Sequence, residues 1–425
     1  MKTITIAALL GLVELCVAVD VLAAQRNVCF RMQLRDDRSN CAESSETGAR
    51  RPCNPGGYTD MAGHQVELWD KDWSSDDEYI GTWYIGGGGT QCINFEWENA
   101  DYSKGESNPD LYLRYINRVN RTGYTNYIYV RGVNTDNSAA SVTSWRNGQT
   151  GDPERYVAMN CSGNACSILP SGTLVPTNDV ASDRGLRIMA LDSAQHALQA
   201  VGEVMDTHVD LQYPGQSDCP TSCAPSRNLI KITQARGGNG SNVTHEIGHV
   251  VQMQEFDQDW LRDDCSRNGD GHSLTSLEHE SCATTEGWGN YIASVSWYEP
   301  NNAGSVPIAW GRDFDTATLQ FTTCSDNAHS EIQTGKAWWD LDDWNNEGGA
   351  GAANGDDDRL AYATTDIVTG WRQFADGSGN REDGESGEDG VNLRDYWGNN
   401  SGRFTASGAF ETLIEHNCIQ DQDNN

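Results

Sequence analysis

The feature that most constrains this chain is a change of hydrophobic period near residue 185. From Gln25 to about Trp145, apolar and polar residues alternate in short runs: VCFRMQL, HQVELWDKD, YIGTWYI, QCINFEW, DLYLRYI and YIYVRGV. Gly, Asn, Asp or Pro bounds each run, the pattern of half-buried strands joined by turns. Later the repeat becomes three and four. IMALDSAQHALQAVGEVMDTHV predicts a helix from Ile188 to Val209. NLIKITQA then reads as a short strand, GGNGS as a turn, and SNVTHEIGHVVQMQ as a second helix with Ser241 or Asn242 as its N-cap. Strands first and helices later predict a multi-domain protein. Its parts are an N-terminal antiparallel β-sandwich over 25–150, a linker or last β element with a cysteine clip over 151–180, and a mainly α, α+β domain over 181–425.

Residues 1–24 combine Lys2, the apolar run ITIAALLGLVELCVAV and small residues before Gln25, which predicts a secretory signal peptide cut near Ala24. The run is too short to span a bilayer and Glu14 interrupts it, so no membrane insertion is expected. Of thirteen cysteines, Cys16 lies in the signal; the other twelve suggest up to six disulfides in an exported protein. Short clips are expected for Cys41 with Cys53, Cys161 with Cys166, and Cys219 with Cys223. The net charge of -33 falls only to -32 when Lys2, Glu14 and Asp20 leave with the signal, which excludes nucleic acid and anionic membrane as partners. Residues 340–395 hold fifteen Asp and Glu against four Arg and no Lys, read as solvated surface. Asp70, Asp72, Asp76 and Asp77 share one predicted turn and form a candidate calcium (Ca2+) site. DGSGNREDGESGEDG, 376–390, is set aside as a solvated loop, because Arg381 stands where an EF-hand loop needs glycine.

The chemistry concentrates in THEIGHVV, 244–251. On a helix, positions i and i+4 share a face, so His245 and His249 can present ring nitrogens to one ion. Glu246 stands one residue round, within reach of a water on that ion. A buried helix with two satisfied imidazoles would show the same apolar side, formed by Val243, Ile247, Val250, Val251 and Met253. A third ligand decides between the two readings. Glu286 is the first candidate, with His272, Glu278, His279 and Glu280 as competitors.

HEIGH and two downstream segments resemble the secreted gluzincin zinc metallopeptidases, in three islands spread over roughly residues 186–420. The metzincin continuation is absent, since Gln252 and Glu255 occupy its glycine and histidine positions. TTEGWGNYIA is similar to the segment that carries the glutamate ligand. That resemblance implies a zinc (Zn2+) site of His245, His249 and Glu286, with Glu246 as general base. The family's aspartate behind the first histidine is replaced here by Asn290, which can accept an imidazole proton but lacks the charge. AWWDLDDWN, carrying Trp338, Trp339, Asp340, Leu341, Asp343 and Asn345, resembles a further segment of such peptidases. Its tryptophans are expected in the core. The resemblance implies a zincin-type catalytic domain, protein or peptide substrates, and an oxyanion donor for which His272, His279, Tyr291 and His329 are candidates. The stretch from Val66 to Trp97 resembles transthyretin-like secreted β-sandwich modules. A rival expectation is a secreted adhesion protein with an idle zinc domain; the presence of Glu246 weighs against it.

Overall fold

The computed structural model describes residues 24–42, 46–50, 52–70, 78–97, 111–120, 126–131, 159–162, 165–168, 173–175, 183–202, 205–214, 219, 221–256, 265, 272–276, 278, 280–302, 308–309, 312–313, 330–342, 362–376, 393–400 and 413. The signal segment, Asp72, Asp76, Asp77, His279, His329, Asp343, Asn345 and the loop from 377 to 390 lie outside them.

The fold is mixed α/β with a strand-rich N-terminal region. Strands β1 (Ala24–Asp36), β2 (Gly57–Asp60), β3 (His64–Asp70), β4 (Glu78–Tyr84), β5 (Thr90–Trp97), β6 (Leu111–Val119) and β7 (Ile128–Arg131) follow one another, then the short β8 (Met159–Ser162), β9 (Ala165–Ile168) and β10 (Thr173–Leu174). After α1 (Asp183–Val201) come β11 (Val209–Gln212), β12 (Ser222–Ser226), β13 (Leu229–Ile232), α2 (Gly240–Glu255) and α3 (Glu280–Trp297). The two-residue pair β14 (Ile308–Ala309) and β15 (Arg312–Asp313) precedes α4 (Glu331–Asp342), α5 (Thr364–Asp376) and α6 (Leu393–Asn400).

Strand β1 organises the first sheet. Its alternate residues Val28, Phe30, Met32 and Leu34 are buried, as are Ile93, Phe95 and Trp97 on β5. These meet Val66, Leu68, Leu111, Leu113 and Tyr115 of the second sheet in one apolar cluster. Cys29 and Cys92 face each other across the antiparallel β1–β5 ladder and are disulfide-bonded. The second sheet has the order β12-β13-β11-β7-β6-β3-β4. Pairing departs from the antiparallel expectation: β1 takes β9 and β10 in parallel, and β7 pairs in parallel with β11. Alternation reports which face of a strand is buried and not the direction of its neighbour, so the sequence pattern was silent on this. Strand pairing therefore crosses both expected domain borders, at 150 and at 181.

Two local expectations are corrected. Helix α1 ends at Val201, not Val209, because Gly202 takes φ 66° and stops the helix, and Val209 opens β11 opposite Ile128. The N-cap of α2 is Asn239, whose side chain accepts from the Asn242 backbone at 3.0 Å. Ser241 instead donates its hydroxyl to the Asn40 carbonyl at 2.6 Å.

Helices α2, α3 and α4 cross closely. A Cβ on Gly248 would stand 3.1 Å from the Gly289 Cα, and one on Gly287 would meet the Gly335 backbone nitrogen at 2.7 Å. Trp288 donates its indole N–H to the Gly248 carbonyl at 2.9 Å and packs edge-on against Trp338 and Trp371. Trp338 and Trp339 are buried as expected. At the other end of the helical layer a buried polar junction ties it to the strands. Arg38 pairs with Asp36 at 2.8 Å and Asp192 at 2.7 Å, and Asp192 also meets His64 at 3.0 Å and His196 at 3.3 Å. Burial alone would raise the Asp192 carboxyl, but the Arg38 guanidinium and the His196 and His64 hydrogen bonds outweigh it and hold it well below the usual carboxylate range.

Four disulfides occur among the described residues, Cys29–Cys92, Cys41–Cys53, Cys219–Cys223 and Cys265–Cys282, as fits an oxidising, extracellular setting. Cys161 and Cys166 are opposed in the β8–β9 ladder. Among the described residues no helix is long and apolar enough to cross a membrane.

Candidate metal centre

Helix α2 holds His245 and His249 one turn apart, and α3 brings Glu286 against them. His249 Nε2 lies 3.0 Å from His245 Nε2, and Glu286 Oε2 lies 3.1 Å from the first imidazole and 3.4 Å from the second. All three residues are buried, and their donor atoms lie within 4.8 Å of one another. Ligands about 2.0–2.2 Å from a tetrahedral ion stand roughly 3.3 Å apart, so this spacing and this donor set fit zinc. Cys265 and Cys282 also lie near Glu286, but they are bonded to each other and so are not ligands.

Asn290, one turn beyond Glu286 on α3, contacts His245 Nδ1 through Oδ1 at 2.9 Å. Its Nδ2 donates to Glu331 Oε2 at 3.3 Å, at the start of α4. Glu331 Oε1 is also 2.6 Å from His272 Nδ1. Of the competing ligands, His272 stays at the cleft, its Nδ1 3.8 Å from Glu286 Oε2. Glu278 accepts from the Ser273 backbone and the Ser276 hydroxyl and so holds a turn, and Glu280 is the first residue of α3. Tyr291 is turned away from the centre, donating to Asp342 Oδ2 at 2.7 Å. Asp70, the described member of the candidate calcium turn, accepts from the Trp97 indole at 2.8 Å.

The three donors open into a cleft of about 520 Å3. Glu246 lines it beside them, together with His272 and Leu274 and with Ser222, Cys223 and Ala224 of β12. Among the described residues β12 is the last strand in the order of the seven-stranded sheet, and its residues line this cleft. The Cys219–Cys223 disulfide ties that edge to the chain leading into it.

Residues 203–374 match the family model described as the Mycolysin C-terminal domain. The match points to a secreted metallopeptidase family. It covers less than half of the chain, and it contains His245, Glu246, His249, Glu286, Asn290 and Glu331. No curated protein matches. A solved structure, the 9R-lipoxygenase from Cyanothece, aligns at 13% identity over 47% of this chain and 25% of that one, with a TM-score of 0.16. A likeness so slight carries no argument.

Sequence reasoning named His245, Glu246, His249, Glu286 and Asn290, and the structure gathers all five at one place. It missed Glu331, which stands six residues before the AWWDLDDWN segment. It also missed Gly289, where a Cβ would stand 2.7 Å from His245 Cε1. The glycine in TTEGWGN was a usable signal for close approach; nothing in the sequence marked Glu331.

Proposed function

We propose that the protein is a secreted zinc-dependent endopeptidase of gluzincin type, with His245, His249 and Glu286 as ligands and Glu246 as general base. The observation that carries this reading is the convergence of two imidazoles and a carboxylate beside Glu246, in a cleft also lined by residues of β12. A zinc ion bound there supplies Lewis acidity and acidifies water. Glu246 takes a proton from the attacking water and returns it to the leaving amine. His272 donates Nδ1–H to Glu331 and, when protonated at Nε2 as well, offers that second N–H to the oxyanion. An extended peptide adds its backbone to the edge of β12, which aligns it along the cleft. The strand-rich N-terminal region, whose stretch from Val66 to Trp97 resembles transthyretin-like modules, contributes β3, β4, β6 and β7 to the sheet that reaches β12 at the cleft.

The test is metal content and peptide cleavage of the purified protein. About one zinc per chain is expected. Glu246→Gln should retain zinc and lose roughly 10²–10⁴-fold in kcat. Unchanged cleavage would remove Glu246 from the chemistry, and absence of zinc with both histidines intact would remove the metal.

A further inference from the structure

Glu331 is buried, and the two oxygens of its carboxylate face donors from two different elements. Oε1 accepts from His272 Nδ1 and Oε2 from Asn290 Nδ2. An amide side chain has one donating and one accepting end. An Asn290 that points Nδ2 at a carboxylate must therefore point Oδ1 at its other neighbour, His245 Nδ1. A carbonyl oxygen only accepts, so Nδ1 of His245 carries the proton and Nε2 turns a lone pair toward Glu286 and His249. The order from outside inward is carboxylate, amide, imidazole, centre.

This arrangement gives the asparagine at 290 a reason. The negative charge stands one side chain further out, where the same carboxylate can also hold His272. We propose that Glu331 is a positioning residue for two imidazoles at once. Through Asn290 it selects the tautomer in which His245 offers Nε2 to the metal, and directly it orients His272 over the cleft. The proposal rests on the metallopeptidase reading above.

Hydrogen-bond direction makes it testable with near-isosteric changes. Glu331→Gln leaves one accepting oxygen for two donors, so either His272 or Asn290 loses its partner. Asn290→Asp sets two carboxylates against each other. Made together, the exchanges restore every contact: the carboxylate at 290 accepts from His245 and from the amide at 331, whose oxygen accepts from His272. A merely structural role would predict additive damage from two substitutions.

Zinc affinity is measured by chelator competition on the metal-free protein, with kcat and KM on a peptide substrate. Each single variant should lose about 10–100-fold in zinc affinity. Glu331→Gln should also lower kcat with KM nearly unchanged. The double variant should regain zinc affinity to within about threefold of wild type, on the reasoning that coupled neighbours depart from additivity. His272→Ala should lower kcat while zinc affinity stays, which tests the second arm even if Glu331→Gln fails to fold. Additive losses in the double variant, or single variants indistinguishable from wild type, overturn the proposal while the peptidase reading stands. Two zinc ions per wild-type chain would also overturn it, because His272, Glu286 and Glu331 would then be ligands to a second ion. A wild type that binds no zinc overturns the metallopeptidase reading and this inference with it.

Discussion

At Gly289 the helix has no room for even a methyl group, since the His245 ring occupies the space a Cβ would take. Alanine is the better helix former by about 1 kcal/mol, so Gly289→Ala would stabilise an isolated α3. In the protein it must displace His245 or part α3 from α2. The expected outcome is at least a tenfold loss of zinc affinity, by chelator competition, with helical content by circular dichroism preserved. Glu286→Ala should weaken zinc more strongly still, and unchanged affinity would return the third-ligand role to another side chain. At this scale legibility followed sequence distance. His245, Glu246 and His249 fall within one helical turn, where spacing alone dictates a shared face. Glu286 and Asn290 became readable through the resemblance of their segment. Glu331 stands forty-one positions from Asn290, and no periodicity links them.

Elements were legible in kind and blurred at their ends. The apolar residues Met205 and Val209 continue the three-four rhythm of α1, but Gly202 breaks the helix before them. Only a tertiary partner, β7, makes Val209 a strand residue. Helices α3, α4 and α5 meet at Asp342, whose Oδ2 accepts from the Tyr291 and Thr364 hydroxyls at 2.7 and 2.6 Å. Burial pushes this carboxyl up to about 6, against the lowering effect of the two hydroxyls. A carboxyl raised in the folded state stabilises the fold below its unfolded value and loses that contribution as pH rises through about 6. Wild-type stability should therefore fall between pH about 4 and about 6 relative to Asp342→Asn, by roughly 3 kcal/mol at most. Denaturant titrations of both proteins across that range provide the check, and parallel curves would contradict it.

The whole molecule depends on a few contacts between strands and helices that no local pattern announces. Arg38 sits among Asp36, Asp192 and the Trp297 ring, and joins the end of β1 to α1 and α3. Removing one member of a buried pair leaves the other uncompensated, so Asp192→Ala should cost about 3–5 kcal/mol, read as a lowered denaturation midpoint. Burial would raise the Asp36 carboxyl, but Arg38 and its hydrogen bonds lower it to about 2. A carboxyl depressed in the folded state stabilises above its unfolded value and loses that contribution as pH falls through its folded one. Acid unfolding should accordingly set in between pH about 4 and about 2, and Arg38→Met should move its onset to higher pH. Composition and alternation disclosed the strand-rich first half and the helical second half. They did not disclose that the halves share sheets, because the parallel partners β7 and β11 lie far apart in the chain.

That sharing makes the stretch between Arg131 and Met159 a place where covalent continuity and structural continuity part company. A peptide bond broken there leaves β1 still laddered to β9 and β10, and β7 still laddered to β11. The nicked protein should migrate as one particle under native conditions and as two bands in denaturant. Two separately encoded fragments should find each other as a split protein does, each supplying the strand the other lacks. Made alone, the first fragment would carry β7 as a bare margin, poised to recruit a foreign strand and aggregate.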